Sequence, residues 1–69
     1  MFARKIHPKL VEEIRRFSSV SAFVEHYGMD PQTSPRAIRD YIAGRRGISS
    51  VSAEYISAHT GLSINEVVL

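Results

Sequence analysis

Three glycines divide this chain into short segments, and this division most constrains how the chain can fold. Gly28, Gly44 and Gly61 each follow a stretch in which apolar residues recur at helical spacing. Glycine readily adopts the left-handed conformation that commonly ends a helix. Helices as short as these segments are marginal when isolated in water. The spacing therefore predicts several short helices that are stable only when packed on one shared core.

Apolar periodicity and capping signals predict an all-α fold, a compact bundle of about five short helices. The first begins at Pro8 and stops at Ser18 and Ser19, the second covers roughly 20–27, the third 35–43, the fourth about 51–60, and the fifth follows Ser63 to the C-terminus. The residues expected on the inner faces of the first four helices are, in order, Leu10, Val11, Ile14 and Phe17 for the first; Val20, Phe23, Val24 and Tyr27 for the second; Ile38, Tyr41 and Ile42 for the third; and Val51, Tyr55, Ile56 and His59 for the fourth. No stretch alternates long enough to predict a strand.

The chain has 69 residues, which we expect to form one domain, 1–69, near the lower limit for a self-sufficient core. It contains no cysteine, so neither a disulfide nor a cysteine-ligated zinc can add stability. Dimerisation is the remaining source of stability. No apolar run approaches the ~20 residues that cross a bilayer, and the N-terminus lacks the apolar segment of a signal peptide. We therefore expect a soluble, cytoplasmic protein.

Positive charge lies in two blocks. Residues 1–16 carry five basic and two acidic side chains, and residues 35–46 carry four arginines and one aspartate, so each block has a net charge of +3. The intervening and trailing parts are acidic. Such a distribution suits a surface that binds a polyanion, although solvated helix faces explain it equally simply. Residues 1–6 are expected to form a flexible basic arm.

The predicted helix 35–43 carries the clearest functional signal. Ser34 can cap its first turn, Pro35 falls at the first helical position, and Gly44 can end it. Its outer face and the residues that follow are Arg36, Arg39, Asp40, Arg45 and Arg46. A short, well-anchored helix with basic side chains outward has the shape that fits the DNA major groove.

Residues 19–69 resemble the helix-turn-helix domains of the phage Cro and lambda-repressor type, the XRE family. The matching positions are Ala22-Phe23-Val24 through Gly28, Ser34-Pro35-Arg36-Ala37-Ile38, Tyr41, Gly44, and Ile56 with Gly61 to Leu69. The resemblance implies a sequence-specific transcriptional regulator, a repressor of phage or mobile-element type. It also implies a homodimer on double-stranded DNA, associated with the nucleoid of a bacterial host.

The chain departs from the family pattern in three places. The turn between Gly28 and Ile38 is longer than the family's by about four residues. Val20 stands where the family often has a phosphate-binding glutamine, and Ile42 stands where an acidic residue is common. Residues 56–69 also resemble the helix-turn-helix of the Lac-repressor family, but that alignment gives a recognition helix without one basic side chain, which suits DNA phosphates poorly.

The resemblance assigns the base-contacting positions to Pro35, Arg36, Arg39 and Asp40. Either arginine can make a bidentate contact to guanine, and Asp40 can accept from cytosine or orient Arg36. Hydroxyl, amide and cationic groups can contact phosphate. The residues assigned to phosphate are Ser19, Ser21, Gln32, Thr33, Ser34, Arg45, Arg46, Arg4 and Lys5.

Two other functions compete with DNA binding. The first is a helical protein-interaction module or antitoxin-like partner, for which the apolar run Val67-Val68-Leu69 offers a binding or dimer surface, if it is not core. The second is an enzyme, which has little support because His7, His26 and His59 are scattered, with no second histidine or carboxylate at metal-binding spacing. We expect no catalytic residue, metal, cofactor, small-molecule substrate or membrane partner.

Overall fold

The computed structural model describes residues 3–69, which form an all-α bundle with one short strand pair. The elements in this range are β1 (Ala3–Arg4), α1 (Pro8–Arg15), α2 (Val20–Tyr27), α3 (Pro35–Ala43), β2 (Ile48–Ser49), α4 (Ser50–Thr60) and α5 (Ile64–Val67). The predicted all-α class and its five helices are confirmed for the described residues. None of these helices is both long and apolar enough to span a membrane.

Side-chain caps determine where the helices begin. Ser19, Ser34 and Ser49 each accept a hydrogen bond at Oγ from the backbone N–H three residues later, at 3.0, 3.3 and 3.2 Å. The predicted capping box of α5 is present, because the Ser63 N–H donates to Glu66 Oε1 at 3.0 Å. Hydrogen bonds from Ser63 lower the pKa of the Glu66 carboxyl. These local bonds satisfy N–H groups that a helix start otherwise leaves unpaired.

The core lies where the five helices meet the strand pair. Its buried apolar residues within the described range are Ile6, Leu10, Ile14, Phe23, Val24, Met29, Ile38, Tyr41, Ile48, Ala53, Ile56, Val67 and Val68. An aromatic cluster joins α1 to α2, with Phe17 packed edge-on against Phe23 and Tyr27. The Tyr27 hydroxyl also donates to Glu13 Oε2 at 2.7 Å. This hydrogen bond lowers the pKa of Glu13 and raises that of Tyr27.

The prediction of a flexible arm is wrong for residues 3–6. β1 pairs antiparallel with β2, so Arg4 lies opposite Ile48. Further along, Ile6 is buried and forms a β-bridge with Val68. Two-residue strands carry no alternation that sequence can reveal, and this pairing joins distant parts of the chain. The rest of the predicted arm, Met1 and Phe2, lies outside the described residues.

The C-terminal residues belong mainly to the core. Val67 is fully buried and Val68 is 6% exposed, whereas Leu69 is exposed. The backbone N–H of His7 donates to the Val67 carbonyl at 2.8 Å, which ties this segment to the start of α1. The two valines are therefore unavailable as a dimer surface. α5 also ends at Val67 and does not continue to the terminus, because Val68 is extended.

Three residues expected on inner faces are exposed. Ile42 is 39% exposed on α3, because that helix turns its half-buried Ala37 toward the core beside Ile38 and Tyr41. On α4, Val51 is 68% exposed and His59 is also exposed, while Ala53 is buried. In both helices an alanine packs on the core where a larger residue was expected.

Candidate nucleic-acid interface

α3 is held from one side and open on the other. Ser34 caps its start, Pro35 occupies its first turn, and the Gly44 N–H bonds to carbonyls of the last turn. Its inner face carries Ile38, which is fully buried, and Tyr41, which is 7% exposed. These contacts fix both the position and the rotation of the helix, as a surface that reads bases requires.

The outer face of α3 carries the two arginines that the resemblance assigns to bases. Arg36 and Arg39 are both exposed. They are three residues apart and so lie on one face of the helix. Each guanidinium can offer two parallel N–H donors to a planar acceptor pair. The geometry therefore leaves both side chains able to enter a groove.

Arg39 has a partner that sequence reasoning did not anticipate. Its Nη2 donates to the hydroxyl of Ser21 at 3.3 Å. Ser21 lies in the first turn of α2, two residues after the cap Ser19. Both Arg39 and Ser21 were expected to contact DNA, but the contact between them carries no signal in a single sequence because it joins two helices across a turn.

The carboxylate of Asp40 is engaged by Arg45. Arg45 Nη2 lies 3.1 Å from Asp40 Oδ1, and Arg45 Nε donates to the same oxygen at 3.2 Å. The expectation that Asp40 orients Arg36 is therefore wrong, because the carboxylate points to the C-terminal end of the helix. The Asp40 side chain is 24% exposed and that of Arg45 is 69% exposed. Because Asp40 neutralises the charge of Arg45, the electrostatic attraction of Arg45 for a phosphate is reduced.

Arg46 is placed differently from Arg45. Its guanidinium carbon lies 5.7 Å from the centre of the Tyr41 ring, in a cation–π contact. Because Tyr41 is buried in the core, the ring gives this exposed arginine a fixed platform. The sequence predicts Tyr41 in the core and Arg46 at phosphate, but the contact between them appears only in the folded chain.

Comparison with protein-family models, with curated proteins and with solved structures found no match to this chain.

The turn before α3 is anchored by a buried residue, Met29. Met29 is fully buried, and its carbonyl accepts from the Thr33 N–H at 2.8 Å and from the Tyr55 hydroxyl at 3.3 Å. Thr33 is 3% exposed, so the prediction of a phosphate contact by its side chain is wrong. Gln32 remains exposed. This turn thus packs on α4 through Met29 and presents Gln32 to solvent.

The surface is not uniformly basic. A shallow cleft between α2 and α3 is lined by Ser21, Val24, Glu25, Asp30 and Pro35. Its two carboxylates would repel phosphate, and half-buried Pro35 faces this cleft. A polyanion should therefore contact the exposed arginines Arg36, Arg39 and Arg46 and not enter this cleft. Of the four residues predicted to contact bases, Pro35 is therefore the one that the structure favours least.

The remaining phosphate candidates lie on three different elements. Ser19 is exposed, although its oxygen already accepts the capping bond, and half-buried Ser34 is used in the same way. Arg4 and Lys5 are exposed and belong to the ordered N-terminal segment. The pairing of Arg4 with Ile48 brings that segment beside the chain two residues beyond Arg46.

A second surface lies beside the strand pair. A groove of about 290 Å³ is lined by Arg4, Ile48, Ser49, Ser50, Ala53, Glu54, Ile64 and Val68. Ile64 is 38% exposed there. Within residues 3–69 no group of three histidine, aspartate or glutamate side chains is placed to hold a metal ion. The groove is mainly apolar and is the feature that suits a protein partner.

Proposed function

We propose that this chain is a sequence-specific duplex-DNA-binding protein that inserts α3 into the major groove. The observation that carries the proposal is the two-sided character of α3, with Ile38 and Tyr41 buried behind it and Arg36 and Arg39 exposed in front. A helix of this kind fits the major groove, and arginine is the commonest residue that reads guanine there.

The roles within the site follow from its contacts. Arg36 and Arg39 read guanine, each at about 1–3 kcal/mol of discrimination. Arg46 contacts phosphate from its platform on Tyr41, and Gln32 and the backbone N–H of Arg36 do so at the other end. Asp40 and Arg45 form an ion pair whose charges largely cancel, so this pair contributes less to the affinity for DNA than Arg46 does.

In the cell, the protein acts as a transcriptional repressor of phage or mobile-element type, in the cytoplasm at the nucleoid.

A homodimer is part of the proposal. The domain measures 30 × 23 × 22 Å, and one copy presents one α3. Two copies side by side can place their α3 helices about 34 Å apart, which is the spacing of successive major grooves on one face of B-DNA. Each copy then reads one half of a palindromic site.

A protein-interaction module is the second candidate function, and the groove lined by Ile48, Ala53 and Ile64 favours it. If this were the main function, association would depend on the apolar groove. It would also be nearly independent of salt. The arginines of α3 would then be solvated surface residues.

Selection from random duplex DNA, followed by binding measurements between about 50 and 200 mM salt, tests the proposed function. We expect one enriched sequence and affinity that falls steeply with salt. Replacing Arg36 or Arg39 with alanine should in each case relax the base preference at one position of the enriched DNA sequence. Arg46→Ala should weaken binding to all sequences and lower the salt slope by ~1, and Arg45→Ala should lower it less.

Arg15→Ala is the matched control, because it removes an exposed arginine from α1, a helix that carries none of the residues assigned to DNA. This variant should retain the sequence preference. If all four α3-region variants bind DNA as the parent does, the proposed function fails.

A further inference from the structure

The contact between Ser21 and Arg39 has the features of a device that positions a base-reading side chain. The two residues are 18 apart in sequence, and their side chains meet across the boundary of α2 and α3. Both are exposed, so the contact does not serve the core. Other hydrogen-bonded serines at helix starts, such as Ser19 and Ser34, bind backbone N–H groups within their own helices.

An arginine side chain has many rotamers, and ordering it on binding costs conformational entropy. A partner that restrains the side chain before DNA arrives removes part of that cost. Ser21 can act in this way because its oxygen takes one N–H of Arg39 Nη2. A guanidinium has five N–H groups arranged along two edges. With one N–H used, one complete edge stays available for a bidentate contact to guanine.

We propose that Ser21 is a positioning residue that fixes the guanidinium of Arg39 for base recognition. This inference rests on the proposed function and replaces the expectation that Ser21 contacts phosphate. Ser21 thereby sets how strongly Arg39 discriminates at its base pair. The sequence preference of the protein then depends on a residue of α2 as well as on α3.

The two roles of Ser21 predict different measurements. A phosphate donor contributes equally to every sequence, so its loss weakens all complexes alike. A positioning residue acts through Arg39, so its loss matters only at the base pair that Arg39 reads. Its loss also has no effect once Arg39 is absent, since contacts that act through one residue are not additive.

The experiment measures binding of four proteins to the selected duplex and to its single-base-pair variants. The proteins are the parent, Ser21→Ala, Arg39→Ala and the double variant. Ser18→Ala is the matched control, because Ser18 is an exposed serine just before the α2 cap. Ser21→Thr keeps the hydroxyl and should retain the parent's preference.

We expect Ser21→Ala to lose about threefold to tenfold preference at the base pair that Arg39→Ala relaxes, which is the range of one hydrogen bond. Its salt slope should be unchanged, and the double variant should match Arg39→Ala. Equal weakening on all duplexes, with a lower salt slope, would assign Ser21 to phosphate and overturn the proposal. An unaffected Ser21→Ala would also overturn it. A parent that selects no duplex would refute the proposed function itself, and the role of Ser21 with it.

Discussion

At the scale of single residues, one hydrogen bond links α1 to α2 and depends on ionisation. The Tyr27 hydroxyl donates to Glu13, and Arg16 lies 3.1 Å from the other oxygen of that carboxylate. The bond from Tyr27, assisted by Arg16, holds the pKa of Glu13 below its ordinary value of 4.5. A group whose pKa is lowered by folding stabilises the native state above its unfolded pKa. That stability is lost as the pH falls through the folded pKa.

Tyr27→Phe should therefore lower the free energy of unfolding by about 1 kcal/mol at neutral pH. The deficit should shrink as the pH falls below 4.5, because a protonated Glu13 gains less from the hydroxyl. Urea unfolding at several pH values measures it. Tyr55→Phe is the matched control, since its hydroxyl donates to the neutral Met29 carbonyl and its effect should not change as Glu13 is protonated. A deficit for Tyr27→Phe that persists unchanged in acid would contradict this account.

At the scale of elements, the signals that begin and end helices are local, and they were predictable. Ser34 and Pro35 mark the start of α3, and Gly44 marks its end, as the structure has them. The rotation of each helix was less predictable. On α3 the choice between Ile42 and Ala37 as the inward residue depends on which neighbour packs against the helix, and that information lies elsewhere in the chain.

Gly44 also sets the direction in which the chain leaves α3. Its φ is +76°, which an L-residue adopts at a cost of about 1–2 kcal/mol. We expect Gly44→Ala to lower the free energy of unfolding by that amount, measured in urea. A Cβ there meets no atom within 4 Å, so the cost is conformational and not steric.

Gly47→Ala is the control for this variant, because Gly47 is not among the glycines with positive φ in the described chain. It should change stability by much less. Equal stability losses for Gly44→Ala and Gly47→Ala would show that the left-handed conformation is not the cause.

At the scale of the whole molecule, the N-terminal segment closes the fold. Ile6 bridges Val68, and β1 pairs with the strand that leads into α4. Sequence reasoning treated residues 1–6 as an arm because a basic, unpatterned terminus looks the same whether it is free or paired. The exposure of Arg36 and Arg39 was predictable from the helical spacing, but the contacts of Ser21 and Arg46 required the folded chain.

Ile6→Ala should lower the free energy of unfolding by about 2–5 kcal/mol, because it removes a buried side chain. Ile6→Val should lower the free energy of unfolding by only about 0.5–1.5 kcal/mol, so this variant can be measured if the alanine variant does not fold. Denaturant unfolding measures both. Lys5→Ala is the control, since Lys5 is exposed. If Ile6→Ala is as stable as Lys5→Ala, residues 3–6 do not contribute to the fold in the way described.

The most direct test of the account is to map the DNA-binding surface by amide chemical-shift changes on titration with the selected duplex. We predict that the largest changes lie in α3, at Ser21 and Gln32, and at Arg45 and Arg46. Changes confined to the groove lined by Ile48, Ala53 and Ile64, with α3 unaffected, would contradict the central claim that α3 is the DNA-binding element.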